Sequence, residues 1–176
     1  MPPHRPTLDL VARCSGPDQF AAFNKLLQSV LAVSMRALEQ PRRRRGKRSP
    51  TGIEPKTFQD AVLVFANPAA CREYLIARRW PDGVECPRCG SRNVLFLERY
   101  NRWHCREGHS APQFTLKTRT IMENSPLGLD KWLLSMWLVA NCKGSVSSYE
   151  VGRALKITQK TAWFLLRRVR RGNRTK

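Results

Sequence analysis

The chain has 176 residues, room for one ordinary domain or two small ones, which excludes a large multidomain enzyme. Lys and Arg number 32 against 13 Asp and Glu, a formal charge of +19, so a polyanion must neutralise the surface and nucleic acid is the first partner to consider. No apolar run approaches the roughly 18–20 residues of a membrane span, and the first fifteen residues lack the apolar stretch of a signal peptide. These features predict a cytoplasmic, nucleoid-associated protein with no membrane partner.

Residues 1–54 form an N-terminal extension. Phe20, Phe23, Leu27, Val30 and Leu31 recur at helical spacing and Pro17 suits a first helical position, so one amphipathic helix is expected. It must dock on the remainder, pair with a partner or stay marginal, because one helix cannot bury its own apolar stripe. The run Arg42-Arg43-Arg44-Arg45-Gly46-Lys47-Arg48 reads as an extended linker that either binds phosphates or is simply solvated.

Past Pro55, Thr57-Phe58-Gln59-Asp60 leads into a short apolar run. Asn67 as a cap and Pro68 at the first position then predict a helix from Pro68 to Arg79, stopped by the turn Trp80-Pro81-Asp82-Gly83. Val94 to Leu97, Tyr100 to Cys105 and Gln113 to Ile121 are rich in aromatic or branched residues and read as β segments.

Between and around these segments lie Cys86-Pro87-Arg88-Cys89-Gly90 and, with fifteen residues between Cys89 and Cys105, Cys105-Arg106-Glu107-Gly108-His109. In a reducing compartment such clusters are metal ligands more often than disulfides. Two close pairs of soft or borderline donors, joined by a hairpin-length spacer, predict one tetrahedral zinc held by Cys86, Cys89, Cys105 and His109, closed to water and therefore structural. His104 competes for the fourth position, but as the strand neighbour of Cys105 it is expected to face the other way. Cys14, Cys71 and Cys142 stand alone, and each reads as a small buried hydrophobe or a bystander.

The last part reads as helical. Leu129 to Asn141 is apolar on most faces, predicting a buried central helix ended by Gly144. Ser147 and Glu150 form a capping box for a short helix to Leu155, Lys156-Ile157-Thr158 is a tight connection, and a longer helix follows from Gln159 to about Arg171. This is a helix-turn-helix pattern, with Gln159, Lys160 and Thr161 placed to reach base edges and Arg167, Arg168, Arg170 and Arg171 placed for phosphates. Trp163 fits either a base contact or the core, and the apolar stripe takes Ala162, Phe164 or Leu165, Leu166 and Val169. No Asp or Glu follows Glu150.

Arg79-Trp80-Pro81-Asp82-Gly83-Val84-Glu85-Cys86-Pro87-Arg88-Cys89-Gly90, Gln113-Phe114-Thr115, Thr120-Ile121-Met122-Glu123-Asn124-Ser125, Leu129-Asp130-Lys131-Trp132-Leu133 and Thr158-Gln159-Lys160-Thr161-Ala162-Trp163 resemble, in the same order, the N-terminal region of ISXO-two-like insertion-sequence transposases. The resemblance covers about Pro55 to Arg171. It implies a transposase zinc-ribbon domain followed by a helical DNA-binding segment that recognises the element's terminal inverted repeats, and a second knuckle of Cys-x2-Cys in some relatives where this chain has Cys105 and His109. Such transposases continue into an RNase-H-like catalytic domain holding two metal ions.

The expected fold is therefore α+β: an N-terminal extension (1–54), a zinc ribbon with a preceding helix (55–123), an all-α helix-turn-helix (124–171) and a basic tail (172–176). The expected function is that of a truncated transposase, not an enzyme, which contains one structural zinc, binds double-stranded DNA of the transposon's terminal repeats through the helix from Gln159 to Arg171, and has an intact transposase or a copy of itself as a further candidate partner. A promoter-binding regulator and a zinc-ribbon protein-interaction module are the alternatives from other classes.

Overall fold

A computed structural model of the protein describes Leu10, Cys14 and residues 18–32, 55–142 and 145–174. Pro17, the Arg42–Arg48 run and Gly144 lie outside the described residues. The described residues combine helices with one small antiparallel sheet.

The amphipathic pattern of the extension becomes helix α1, Gln19–Ala32, with Phe23, Leu26, Leu27, Val30 and Leu31 buried. Helix α2, Phe58–Phe65, was not apparent from the apolar run alone; a capping box forms it, Asp60 N donating to Thr57 Oγ1 at 3.1 Å and Thr57 N to the Asp60 carboxylate at 3.0 Å. Helix α3, Pro68–Arg79, starts as the sequence predicts, with Asn67 Oδ1 accepting from Ala69 N at 2.9 Å and Pro68 in the first turn.

Strands β1 (Val94–Leu97), β2 (Arg102–Cys105) and β3 (Gln113–Phe114) form a sheet in the order β1-β2-β3. Val94 pairs with Cys105 and Leu97 with Arg102, across a short 3-10 turn at Glu98–Tyr100 that closes on Asn101 in the left-handed region. The third β segment is much shorter than expected. Beyond Phe114, threonine hydroxyls satisfy the backbone locally: Thr118 Oγ1 accepts from Thr115 N at 2.9 Å and Thr120 Oγ1 donates to Lys117 O at 2.7 Å. Branched residues that resemble a strand in sequence here build turns instead.

Helix α4, Leu129–Asn141, buries Trp132 through Leu138 without interruption and is packed by α1, α2 and α3. It ends at Asn141 with Cys142 as its cap. Helix α5, Ser148–Leu155, has the predicted Ser147/Glu150 capping box, and after Lys156 in the left-handed region helix α6 runs Gln159–Arg174. Both α5 and α6 also pack on α4. The turn between α5 and α6 needs Gly152: a Cβ there would lie 3.1 Å from Ile157 O and 3.6 Å from the Gln159 backbone.

Two aromatic clusters fix the arrangement. Phe23 of α1 meets Phe65 of α2, Tyr74 of α3 and Trp137 of α4, with ring centroids 5.8, 6.3 and 5.1 Å away. The extension helix therefore docks on the remainder, the first of the three options left open by the sequence. Under the sheet, Trp80, Phe96, Trp103 and Phe114 pack together, Trp103 stacking on Phe114 at 5.8 Å. The expectation for two cysteines is corrected: Cys14 and Cys142 are joined in a disulfide across a sequence separation of 128, a juxtaposition created by the docking of the N-terminal segment. Cys71 is a buried thiol whose Sγ donates to Phe65 O at 3.2 Å, and burial pushes it up to about 12.

Candidate metal centre and nucleic-acid interface

The first knuckle is a tight turn. Gly90 N donates to Cys86 O and Cys86 N to Ser91 O, each at 2.8 Å, and the turn closes through Gly90 at φ +77°, a conformation that suits glycine. The second grows from the end of β2, where Cys105 N donates to Pro112 O at 2.9 Å and Gly108 reverses the chain at φ +68°. Register then brings the knuckles together: Arg106 N donates to Asn93 O at 3.0 Å, and Arg88 of the first knuckle donates to Ala111 O beside the second at 2.6 Å.

One donor atom from each of Cys86, Cys89, Cys105 and His109 lies within 4.8 Å of all the others. Cys86 Sγ is 3.3 Å from His109 Nε2, and Cys89 Sγ is 3.5 Å from Cys105 Sγ. A tetrahedron of zinc–sulfur bonds of about 2.3 Å has edges of about 3.8 Å, so the donor set is drawn in to the size such an ion requires. His109 Nδ1 lies 2.9 Å from Ser110 O; with Nδ1–H donating there, Nε2 keeps its lone pair for the cluster. His104 is outside the group. Along β2, Trp103 and Cys105 are buried while Arg102 and His104 lie half-exposed on the other face.

The charges of the cluster suit a cation. Burial acts against ionising Cys86, but the N–H groups of Arg88 and Cys89 and the His109 ring outweigh it and bring the thiol down to about 7. Burial, with the neighbouring thiols, pushes Cys105 up to about 11. The Ser110 carbonyl, then Cys86, raises His109. A divalent ion at the centre relieves this crowding by stabilising all the thiolates at once.

The ribbon is braced by residues that sequence reasoning did not single out for this task. Arg79, at the end of α3, donates to the carbonyls of Leu116 and Thr118 while its guanidinium covers Trp80 at 4.5 Å from the ring centroid. Lys117 donates to the carbonyls of Ser125 and Leu127. Arg119 reaches back to Pro87 O at 3.1 Å, tying this segment to the first knuckle. A basic residue next to a run of threonines gives no sequence signal for such clamps, because the carbonyls it meets are set by turns that form only in the fold.

The second predicted site, α6, is divided by the structure. Ala162, Leu165, Leu166 and Val169 form its buried stripe, which resolves the choice between Phe164 and Leu165 in favour of Leu165. Arg168 donates to Ile121 O and Glu123 O at 3.3 and 2.9 Å, and Arg170 to Val146 O and Ser145 Oγ at 2.6 and 3.2 Å, so these two arginines hold α6 to the body. Gln159 Nε2 donates to Ser148 Oγ across the turn at 2.8 Å, and Thr161 is engaged with Thr158. Lys160, Arg167 and Arg171 lie on the exposed side of the helix. The helix carries no acidic side chain.

Residues 66–109, from the end of α2 to His109, match the family model of the transposase zinc-ribbon domain. These residues are similar to a transposase zinc ribbon. All four donors of the cluster fall inside the matched range. The chain is also 26% identical over 113 residues to an uncharacterised protein in transposable element ISH50 of Halobacterium salinarum, an alignment covering 62% of this chain and 36% of that protein. No solved structure matches the chain. Together these relate the chain to insertion-sequence transposases, in agreement with the resemblance, and the zinc ribbon is a non-catalytic part of such proteins. Among the described residues, no helix is long and apolar enough to cross a membrane.

Proposed function

We propose that these residues form the DNA-end-binding region of an insertion-sequence transposase, a zinc ribbon next to a helix-turn-helix, and that its partner is the duplex at the element's terminal repeats. The observation that carries the proposal is the transposase zinc-ribbon match across the Cys86, Cys89, Cys105 and His109 cluster, on the same body as an exposed, acid-free basic helix. Those four side chains hold one zinc ion. A closed set of four protein donors gives the ion a structural task, and in small domains such binding is worth about 10–16 kcal/mol of apparent folding free energy.

In this reading α5 and α6 are the two helices of the helix-turn-helix, with α6 in the major groove. Lys160, Arg167 and Arg171 contact phosphates, while Arg168 and Arg170 position the helix. Gln159 and Thr161 approach base edges from the first turn, where their hydrogen bonds to Ser148 and Thr158 already orient them. Four acidic side chains have structural tasks: Asp60 and Glu150 cap helices, Glu85 pairs with Arg92 at 2.7 Å, and Asp130 pairs with Lys131 at 3.2 Å.

Fluorescence anisotropy with a labelled mixed-sequence duplex, and with the terminal repeat of the element that encodes the chain, tests the proposal. Affinity falls steeply between about 50 and 200 mM salt, the repeat is preferred, and Arg167→Gln lowers the salt slope by roughly one unit. Arg168→Gln leaves the slope unchanged because its charge serves backbone carbonyls. Absence of duplex binding at low salt refutes the proposal; preference for promoter DNA over the repeat points to a transcription regulator.

A further inference from the structure

One feature of α6 is not accounted for by phosphate binding. Trp163 and Phe164 are 45% and 51% exposed, side by side, with ring centroids 5.0 Å apart at an interplanar angle of 77°. The other tryptophans of the chain, Trp80, Trp103, Trp132 and Trp137, are all buried. The pair cannot serve the core, because the buried stripe of the same helix is already filled by Ala162, Leu165, Leu166 and Val169. It lies on the side that carries Lys160 and Arg167, one turn before and one turn after, and the Arg167 guanidinium sits 5.4 Å from the Trp163 centroid. An apolar pair in an acid-free, basic surround fits a partner that is anionic at its rim and apolar in patches on its floor.

We infer that the Trp163–Phe164 pair reads thymine, by covering 5-methyl groups on the floor of the major groove between phosphates held by Lys160 and Arg167. The chemistry is selective. Of the groups that base pairs present in the major groove, the thymine methyl is the apolar one; the others are hydrogen-bond donors and acceptors that aromatic edges do not satisfy. The pair also sits at the fifth and sixth residues of α6, near the helix start, where recognition helices meet base edges. The edge-to-face contact and the guanidinium over Trp163 hold the rings in place, so little freedom is lost on binding. This inference rests on the DNA-binding reading above and adds to it a base preference and the residues that set it.

The test compares poly(dA-dT) with poly(dA-dU) duplexes, which differ only in the 5-methyl group, as competitors for the full chain bound to a labelled mixed-sequence duplex. Burial of one methyl favours the thymine duplex by about fourfold per contact. Trp163→Ala/Phe164→Ala brings the ratio to about one and leaves the salt slope in place, and Trp163→Phe keeps part of the preference. Because both side chains are exposed, far-UV circular dichroism and zinc content stay at wild-type values and show that the variant is folded. Acrylamide quenching gives a second readout, since the exposed Trp163 dominates it and the duplex shields it. Equal affinity of the wild type for both duplexes overturns the inference while leaving DNA binding intact; no affinity for either overturns the DNA-binding reading itself. Quenching that falls with protein concentration in the absence of DNA assigns the pair to a contact between copies, and also overturns the inference.

Discussion

Truncating Phe23 tests whether the N-terminal helix belongs to the folded body. Phe23 is fully buried, and its ring meets side chains from three other helices: Phe65 of α2, Tyr74 of α3 and Trp137 of α4. A cavity bordered by four elements collapses poorly, because closing it for one helix opens a gap for another. Phe23→Ala should therefore cost about 3–5 kcal/mol, the range for buried Phe truncation, near the upper end. Against a typical total stability of about 5–15 kcal/mol, that is a large fraction. Urea unfolding with zinc held equal in both samples reads it as a shift of the midpoint at constant slope. Leu63→Ala is the control: Leu63 is 75% exposed, and its loss should change stability by less than about 0.5 kcal/mol. If Phe23→Ala matches that control, α1 does not dock on α4 and the aromatic cluster is not the core.

Two further outcomes concern the cysteines and histidines. Elemental analysis should find one zinc per chain, retained by His104→Ala and lost or sharply weakened in His109→Ala and Cys89→Ser; the reverse order of the two histidines refutes the ligand set. Thiol titration of the denatured, chelated protein should find four reactive groups, Cys71, Cys86, Cys89 and Cys105, and six after reduction. Six thiols without reductant refute the Cys14–Cys142 disulfide.

Where local chemistry decides structure, the sequence is readable. Asn67-Pro68 and Ser147-x-x-Glu150 carry their caps within three residues, and α3 and α5 start where those residues say. The paired spacing of Cys86, Cys89, Cys105 and His109 is readable for the same reason, since a knuckle is a local turn and the β1-β2 hairpin needs only a short spacer. Thr57-x-x-Asp60 carries a similar signal for α2, hidden by the branched residues after it. Juxtapositions across the chain are another matter. The meeting of Cys14 with Cys142, and the hydrogen bonds of Arg168 and Arg170 to backbone carbonyls, depend on how α1, α4 and α6 pack, and periodicity alone does not encode that. Trp163 is ambiguous in sequence because an aromatic at helical spacing fits either face; only the filled stripe beside it places it outside.

Amide chemical-shift mapping tests most directly whether α6 is the surface that meets DNA. A nitrogen-15-labelled, zinc-loaded chain is titrated with an unlabelled mixed-sequence duplex at low salt, and perturbed amides are placed on the fold. The largest shifts are expected from Gln159 to Arg171, centred on Lys160, Trp163, Phe164 and Arg167, with α2 and the buried length of α4 little changed. Shifts confined to the ribbon, or to the exposed side of α2 around Leu63, with α6 unaffected, contradict it.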